Sequence, residues 1–337
     1  MARYPVESWP TLMVVDAARE QAVLRWPGSA NAAQLVKLLD DGERAVRGGG
    51  SAALDELARA DRLNAEGKKR EAAALYRAAL PRLPTDKRTR AIESLLGGLA
   101  LAHDADGCAQ AALELLPSMA RGPSFANAAS VGIGCAAELK GDERRRRLAV
   151  LAPLGDEAVA LPGLLADDRS SLFEALVGLR EEAGDVAGGK AMAQRWLTFL
   201  EGEAQQASTV EQRASFDPHR VNAALALGEP LRAEAALRAS ERDLPADYNP
   251  PARLAIVYRA AGRTDDALAA VDRALGKVYG PRALRLYELK SELQLKKGDR
   301  AGAKKTVASA LAAARALPPG PARDRAVAAL EKQLRAP

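Results

Sequence analysis

Histidine and cysteine, which most often carry nucleophilic or metal chemistry, are scarce here: His103, His219, Cys108 and Cys135 are all that 337 residues contain. A Ser-His-Asp arrangement therefore has little to draw on. His103, Cys108 and Cys135 offer three donor side chains, but without the tight spacing of a zinc site, so no metal is expected. Two cysteines make no disulfide framework, and the reading for both is a small buried residue. Gly48–Gly50 and the run Gly188-Gly189-Lys190 lack the full glycine, lysine and hydroxyl spacing that cradles a phosphate. No catalytic residue and no cofactor are assigned.

Charged side chains are plentiful but mixed in sign. Lysine and arginine number 49 against 44 acidic residues, a net charge of +5, and the isoelectric point is near 9.2. Interspersed signs build no single basic stripe, so nucleic acid is not an expected partner. The strongest run, Arg144–Arg147, follows Asp142 and Glu143, acids that favour the first turn of a helix. Four successive arginines point all round a helix and read as a solvated face with some stem packing.

The elements that position these residues are expected to be helices. Aromatic content is 4% while alanine and leucine dominate an apolar 48%, a composition suited to close helix packing. No charged segment followed by an apolar one opens the chain. The most apolar later stretch, Leu148 to Leu165, is cut by Pro153, Asp156, Glu157 and Pro162. No membrane insertion is expected, and the compartment expected is the cytoplasm, or the periplasm or exterior if the true start lies upstream.

From Leu12, LMVVD and AVLRW flank a turn and read as a β-hairpin. Pro27-Gly28 ends it, and Ser29 or Asn31 can cap a following helix with Leu35, Val36, Leu38 and Leu39 on one side. The segments YPVESWPTLMVVD and VLRWPGSANAAQLVKLLDD resemble the C-terminal part of a thioredoxin domain. The resemblance places Trp9, Pro10 and Thr11 at that family's cis-proline turn, which borders a peptide-binding face. The family's Cys-X-X-Cys would lie upstream of Met1, so no redox residue is carried over.

Glu43–Ser51, with three consecutive glycines, is expected to be a flexible linker. From Ala52 onward, turn residues recur at Gly67, Asp104, Gly141, Gly184, Gly228, Gly262 and Gly298, spaced by 37, 37, 43, 44, 34 and 36 residues. Five residues after each turn stand Ala72, Ala109, Arg146, Gly189, Ala233, Ala267 and Ala303. Nine after each stand Tyr76, Leu113, Val150, Ala193, Leu237, Val271 and Val307. A period of this size marks a helical hairpin that must stack on its neighbours to bury its apolar face. Asp217-Pro218 and Asn249-Pro250 read as an N-cap followed by proline at the first helical position. The pattern resembles the tetratricopeptide repeat. AAALYRAALPRLP (Ala72 to Pro84) fits best, and the repeats turning at Gly141 and Gly184 are degenerate.

The expectation is thus a mostly α chain: a partial thioredoxin-like β-β-α module over 1–42, a glycine-rich linker over 43–51, a right-handed α-solenoid of tetratricopeptide-like hairpins over 52–317, and a capping helix over 318–337. By the same resemblance the first helices line a concave groove that receives a protein or peptide, with Asp61, Asn64, Asn222, Arg253, Arg259, Arg285 and Glu292 as groove candidates. That family's carboxylate clamp is not expected, because Pro218, Arg253 and Leu289 occupy its other places. The function expected is a non-enzymatic interaction scaffold. The alternative is the C-terminal portion of a thiol-disulfide oxidoreductase or redox chaperone.

Overall fold

The computed structural model describes residues 4, 6, 10–48 and 51–335. Strands β1 (Thr11–Asp16) and β2 (Gln21–Pro27) pair antiparallel, with Leu12 opposite Trp26 and Val14 opposite Leu24. Alternation sends Leu24 and Trp26 to one side, where they meet Leu38 of helix α1 (Ala32–Arg47). Asn31 caps α1 with Gln34 in a reciprocal box. Gly42 lets α1 lie flat on the sheet, since a Cβ there would fall 2.5 Å from Val14 Cγ1.

The linker expectation needs correcting at its start. Glu43–Arg47 are the last turns of α1, and the helix stops only at Gly48, whose φ of 73° admits glycine readily. Gly49 and Gly50 lie outside the described residues. The β-β-α module is not held apart by the glycines, because β2 packs on the next helix.

The rest of the described chain is helical. Helices α2 (Ala52–Ala65) and α3 (Lys69–Ala79) turn at Gly67, and α4 (Thr85–Leu101) and α5 (Ala105–Leu115) turn at His103-Asp104. The pair α6 (Pro123–Glu138) and α7 (Gly141–Ala158) turns before Gly141, and α8 (Ala166–Glu182) follows. These belong to one compact unit, which ends at Gly184.

A second unit begins at Asp185. Helix α9 (Val186–Gln206) packs on α11 (Asp217–Leu227), with the short α10 (Val210–Ser215) between them in sequence. A 3-10 turn over Pro230–Ala233 leads into α12 (Glu234–Asp243). Hairpins α13 (Asn249–Ala260) with α14 (Thr264–Leu275), and α15 (Arg282–Lys296) with α16 (Arg300–Arg315), follow, and α17 (Pro321–Arg335) packs on α16. The helices on either side of Gly184 thus fall in different units, although the repeat register treats them as one hairpin.

Glycines 67, 184, 228, 262 and 298 all adopt positive φ between helices, as the register predicts. The small residues five places on, Ala72, Ala109, Ala233, Ala267 and Ala303, are buried where paired helices cross. The register slips in α7, which starts at Gly141 itself. There Arg146 and Val150 are exposed, and Arg147 and Leu151 point inward instead. Asp217 and Asn249 are the first helical residues rather than N-caps. Among the described residues no helix is long and apolar enough to cross a membrane.

The two cysteines also depart from expectation. Cys108 on α5 and Cys135 on α6 are joined in a disulfide, so neither is simply a small core side chain.

Candidate functional site

The faces of the first helices, which carry the groove candidates, are in opposite states in the two units. In the first unit that face is covered by the chain's own β-β-α module. Pro27 sits over Gly97 of α4, where a Cβ would be 3.2 Å from the proline ring. Gln34 Nε2 donates to Ser124 Oγ of α6 at 3.4 Å. Asp41 of α1 accepts from Lys87 Nζ at 2.6 Å, and Arg90 Nε lies 2.7 Å from its other oxygen in a charge contact off the N–H axis.

Beneath the module Arg90 binds Asp61 of α2 in two parallel bonds, Nη1 to Oδ1 at 3.0 Å and Nη2 to Oδ2 at 2.9 Å. Tyr76 of α3 donates its hydroxyl to the same Asp61 at 2.7 Å. Burial works against the Asp41 carboxylate, but Arg90 and Lys87 outweigh it and hold its pKa below the ordinary value. Glu93, one turn along α4, is treated differently. Burial pushes it up to about 8 despite the hydrogen bond it accepts from Asn127 Nδ2 at 2.9 Å, and the Asp168 charge adds to the rise. Asp168 is itself raised by burial, against a hydrogen-bonding pull from Ser29. A cavity of about 140 Å³ remains between module and helices, lined by Trp26, Gln34, Asp41, Lys87, Arg90 and Ser124 among others.

Asp61 and Asn64, expected in an open groove, are therefore buried to 2% and 1% exposure. They are brought together, but as parts of a closed interior. Pro10 holds the strand end, its carbonyl accepting from Gly28 N at 2.9 Å, and Thr11 pairs opposite Pro27. Trp9, third member of the expected turn, lies outside the described residues.

In the second unit the corresponding face is open. Asn222 on α11 and Arg285 on α15 are exposed, and Arg253 on α13 is half-buried. Arg259 is neutralised by Glu292, Nη1 to Oε2 at 3.0 Å, whereas Arg253 feels the Asp217 and Asp247 charges only at a distance. Desolvation lowers its pKa, with those acids pulling the other way. Leu225, one turn from Asn222, and Leu295, one turn from Glu292, add exposed apolar surface to the same helices. Asp217, behind this face, is fully buried and bonded by Arg220 Nη1 at 3.0 Å.

Sequence reasoning passed over Arg90, Glu93 and Asp41. A signal existed for the first two. The run RAIESLLGGLA buries every side from Arg90 to Leu99, and a helix apolar all round is an interior helix, so charges within it must be paired or neutral. The run Arg144–Arg147 is spent internally. Arg144 pairs with Glu182, Arg145 with Asp142 and Arg146 with Glu143, while Arg147 donates to the Asp106 carbonyl and carboxylate at 2.7 Å each.

No known family's sequence profile matches the chain, and no curated protein matches it. Solved structures do. A tetratricopeptide repeat protein from Parabacteroides merdae is 10% identical, covering 84% of this chain and 100% of its own, with a TM-score of 0.49. BtubC from P. vanneervenii is 15% identical, over 81% of this chain and 96% of its own, with a TM-score of 0.38. Yeast Tom70 is 12% identical, over 90% and 74%, with a TM-score of 0.36. No argument rests on these likenesses, and the repeat register with its buried alanines carries the assignment. The fold is tetratricopeptide-like.

Proposed function

We propose that the chain is a protein-interaction scaffold without catalytic chemistry of its own, and that it receives its partner on the first-helix face of the second unit. The partner segment is acidic with interspersed apolar side chains. Arg253 carries this reading: a half-buried guanidinium that forms no hydrogen bond or ion pair among the described residues is held partly out of water without an acceptor. An incoming carboxylate would recover that loss as a charge-assisted bond. Exposed Arg285 adds a second positive charge, Asn222 an amide, and Leu225 and Leu295 apolar contacts. The first unit is not available in the same way, because its face already holds the module.

The reading is tested by immobilising the full chain and capturing partners from the extract of its own host. Arg253→Glu combined with Arg285→Glu should reduce capture at least tenfold, since each rejected charge pair is worth about 1.4 kcal/mol or more. Circular dichroism should show an unchanged helical fold. Undiminished capture by the folded double variant would show that the partner lies elsewhere.

A further inference from the structure

Cys108 and Cys135 face each other across α5 and α6 with Cα atoms 6.0 Å apart. The approach is set by small residues. One turn away on the same two helices, a Cβ on Gly132 would fall 2.5 Å from the Ala112 methyl, and Ala109, Ala128, Ala129 and Ala136 are buried around the crossing. Antiparallel helices separated only by glycine and alanine bring opposed Cα atoms into the roughly 4.4–6.8 Å range that a disulfide spans. Cys108 is 0% exposed and Cys135 4%. Among the described residues no cysteine is left free.

We propose that this bridge is made by exchange with an external disulfide while the chain folds, and that the protein therefore matures in an oxidising compartment rather than in the cytoplasm. In the first step one cysteine thiolate attacks a disulfide R–S–S–R, giving a mixed disulfide and releasing R–S⁻. The second cysteine thiolate attacks the protein sulfur of that mixed disulfide and releases the other R–S⁻. The two protons given up by the cysteines end on the leaving thiolates, so two protein thiols are oxidised and one external disulfide is reduced to two thiols. Exchange needs access to sulfur along the S–S axis. With α5 and α6 packed both cysteines are almost wholly buried, so the bond forms before these two helices of adjacent hairpins close on each other and is afterwards shielded from reductants. Disulfides of this kind persist where glutathione and thioredoxin do not reduce them.

The chain carries its own test. Host cells are quenched in denaturant with excess iodoacetamide, and the intact full chain is weighed. The expected result is no alkylation and a mass lacking two hydrogens, with both cysteines alkylated only after reduction in denaturant. Two alkylated cysteines without prior reduction would overturn the proposal. In a second arm, dithiothreitol should leave the native protein oxidised and reduce the denatured one. Oxidised protein should also have an unfolding constant about 10²-fold smaller than the reduced protein or the Cys108→Ser/Cys135→Ser variant. Equal stability of all three forms would remove the bridge's structural role.

Discussion

Glu93 shows how one side chain reports on the closed face. Its carboxyl sits among Asn127, Ser124, Asp168 and Arg90 and is held up to about 8, against an ordinary 4.5, chiefly by burial. The folded chain therefore keeps a proton that the unfolded chain releases, and stability from this group is complete below about pH 4.5 and falls as pH rises towards 8. Glu93→Gln keeps the hydrogen bond from Asn127 and removes the titration. Chemical denaturation between pH 5 and 9 should show the variant gaining on the parent as pH rises, by on the order of 4 kcal/mol at the alkaline end. A constant difference across that range would mean that Glu93 is already ionised in the fold. Asp41 behaves oppositely. Its pKa is lowered against burial by Arg90 and Lys87, so its contribution is present above the ordinary carboxylate value and lost in acid.

At the scale of elements, the repeat punctuation was legible because backbone geometry demands particular residues. The turn glycines at 67, 184, 228, 262 and 298 have positive φ, a conformation that residues with a Cβ rarely adopt. A further device recurs at second helices. Asp104, Asp185 and Asp299 each cap a helix through the backbone N–H of a glycine three residues on, Gly107, Gly188 and Gly302. Glycine leaves the capping carboxylate room, since a Cβ would lie 2.0 Å from Asp299 Oδ2 at Gly302 and 2.6 Å from Asp104 Oδ2 at Gly107, and the carboxylate would have to shift. The Asp-X-X-Gly spacing could have been read from sequence. Asp299→Ala should destabilise the chain by about 1 kcal/mol in thermal or urea unfolding. An Asp299→Ala chain of unchanged stability would show that the cap contributes nothing. Two features were not legible. The slip in α7 arises because that helix starts at Gly141 itself, and the cysteine pairing depends on which turn of α5 faces which turn of α6. The Gly132 contact with Ala112 reveals that facing, but periodicity alone does not.

At the scale of the molecule, two compact units divided at Gly184 and Asp185 share one kind of hairpin and differ in what lies on it. Composition and repeat spacing foretold the helical class. They did not foretell that the N-terminal module would lie on the face expected to be open, because that contact depends on Asp41 meeting Lys87 and Arg90 across more than forty residues of chain. Asp61 and Asn64, expected in an open groove by counting back from Gly67, are enclosed by tertiary packing. Arg253, Arg285 and Asn222 were found by the same count and left accessible. The central claim is that the second unit receives the partner while the first is occupied by its own chain. Hydrogen exchange of the full chain with and without the captured partner tests this most directly. New protection should appear in peptides of α11, α13 and α15, with α2 and α4 unchanged. Protection centred on α2 and α4, with α13 and α15 unaffected, would contradict it.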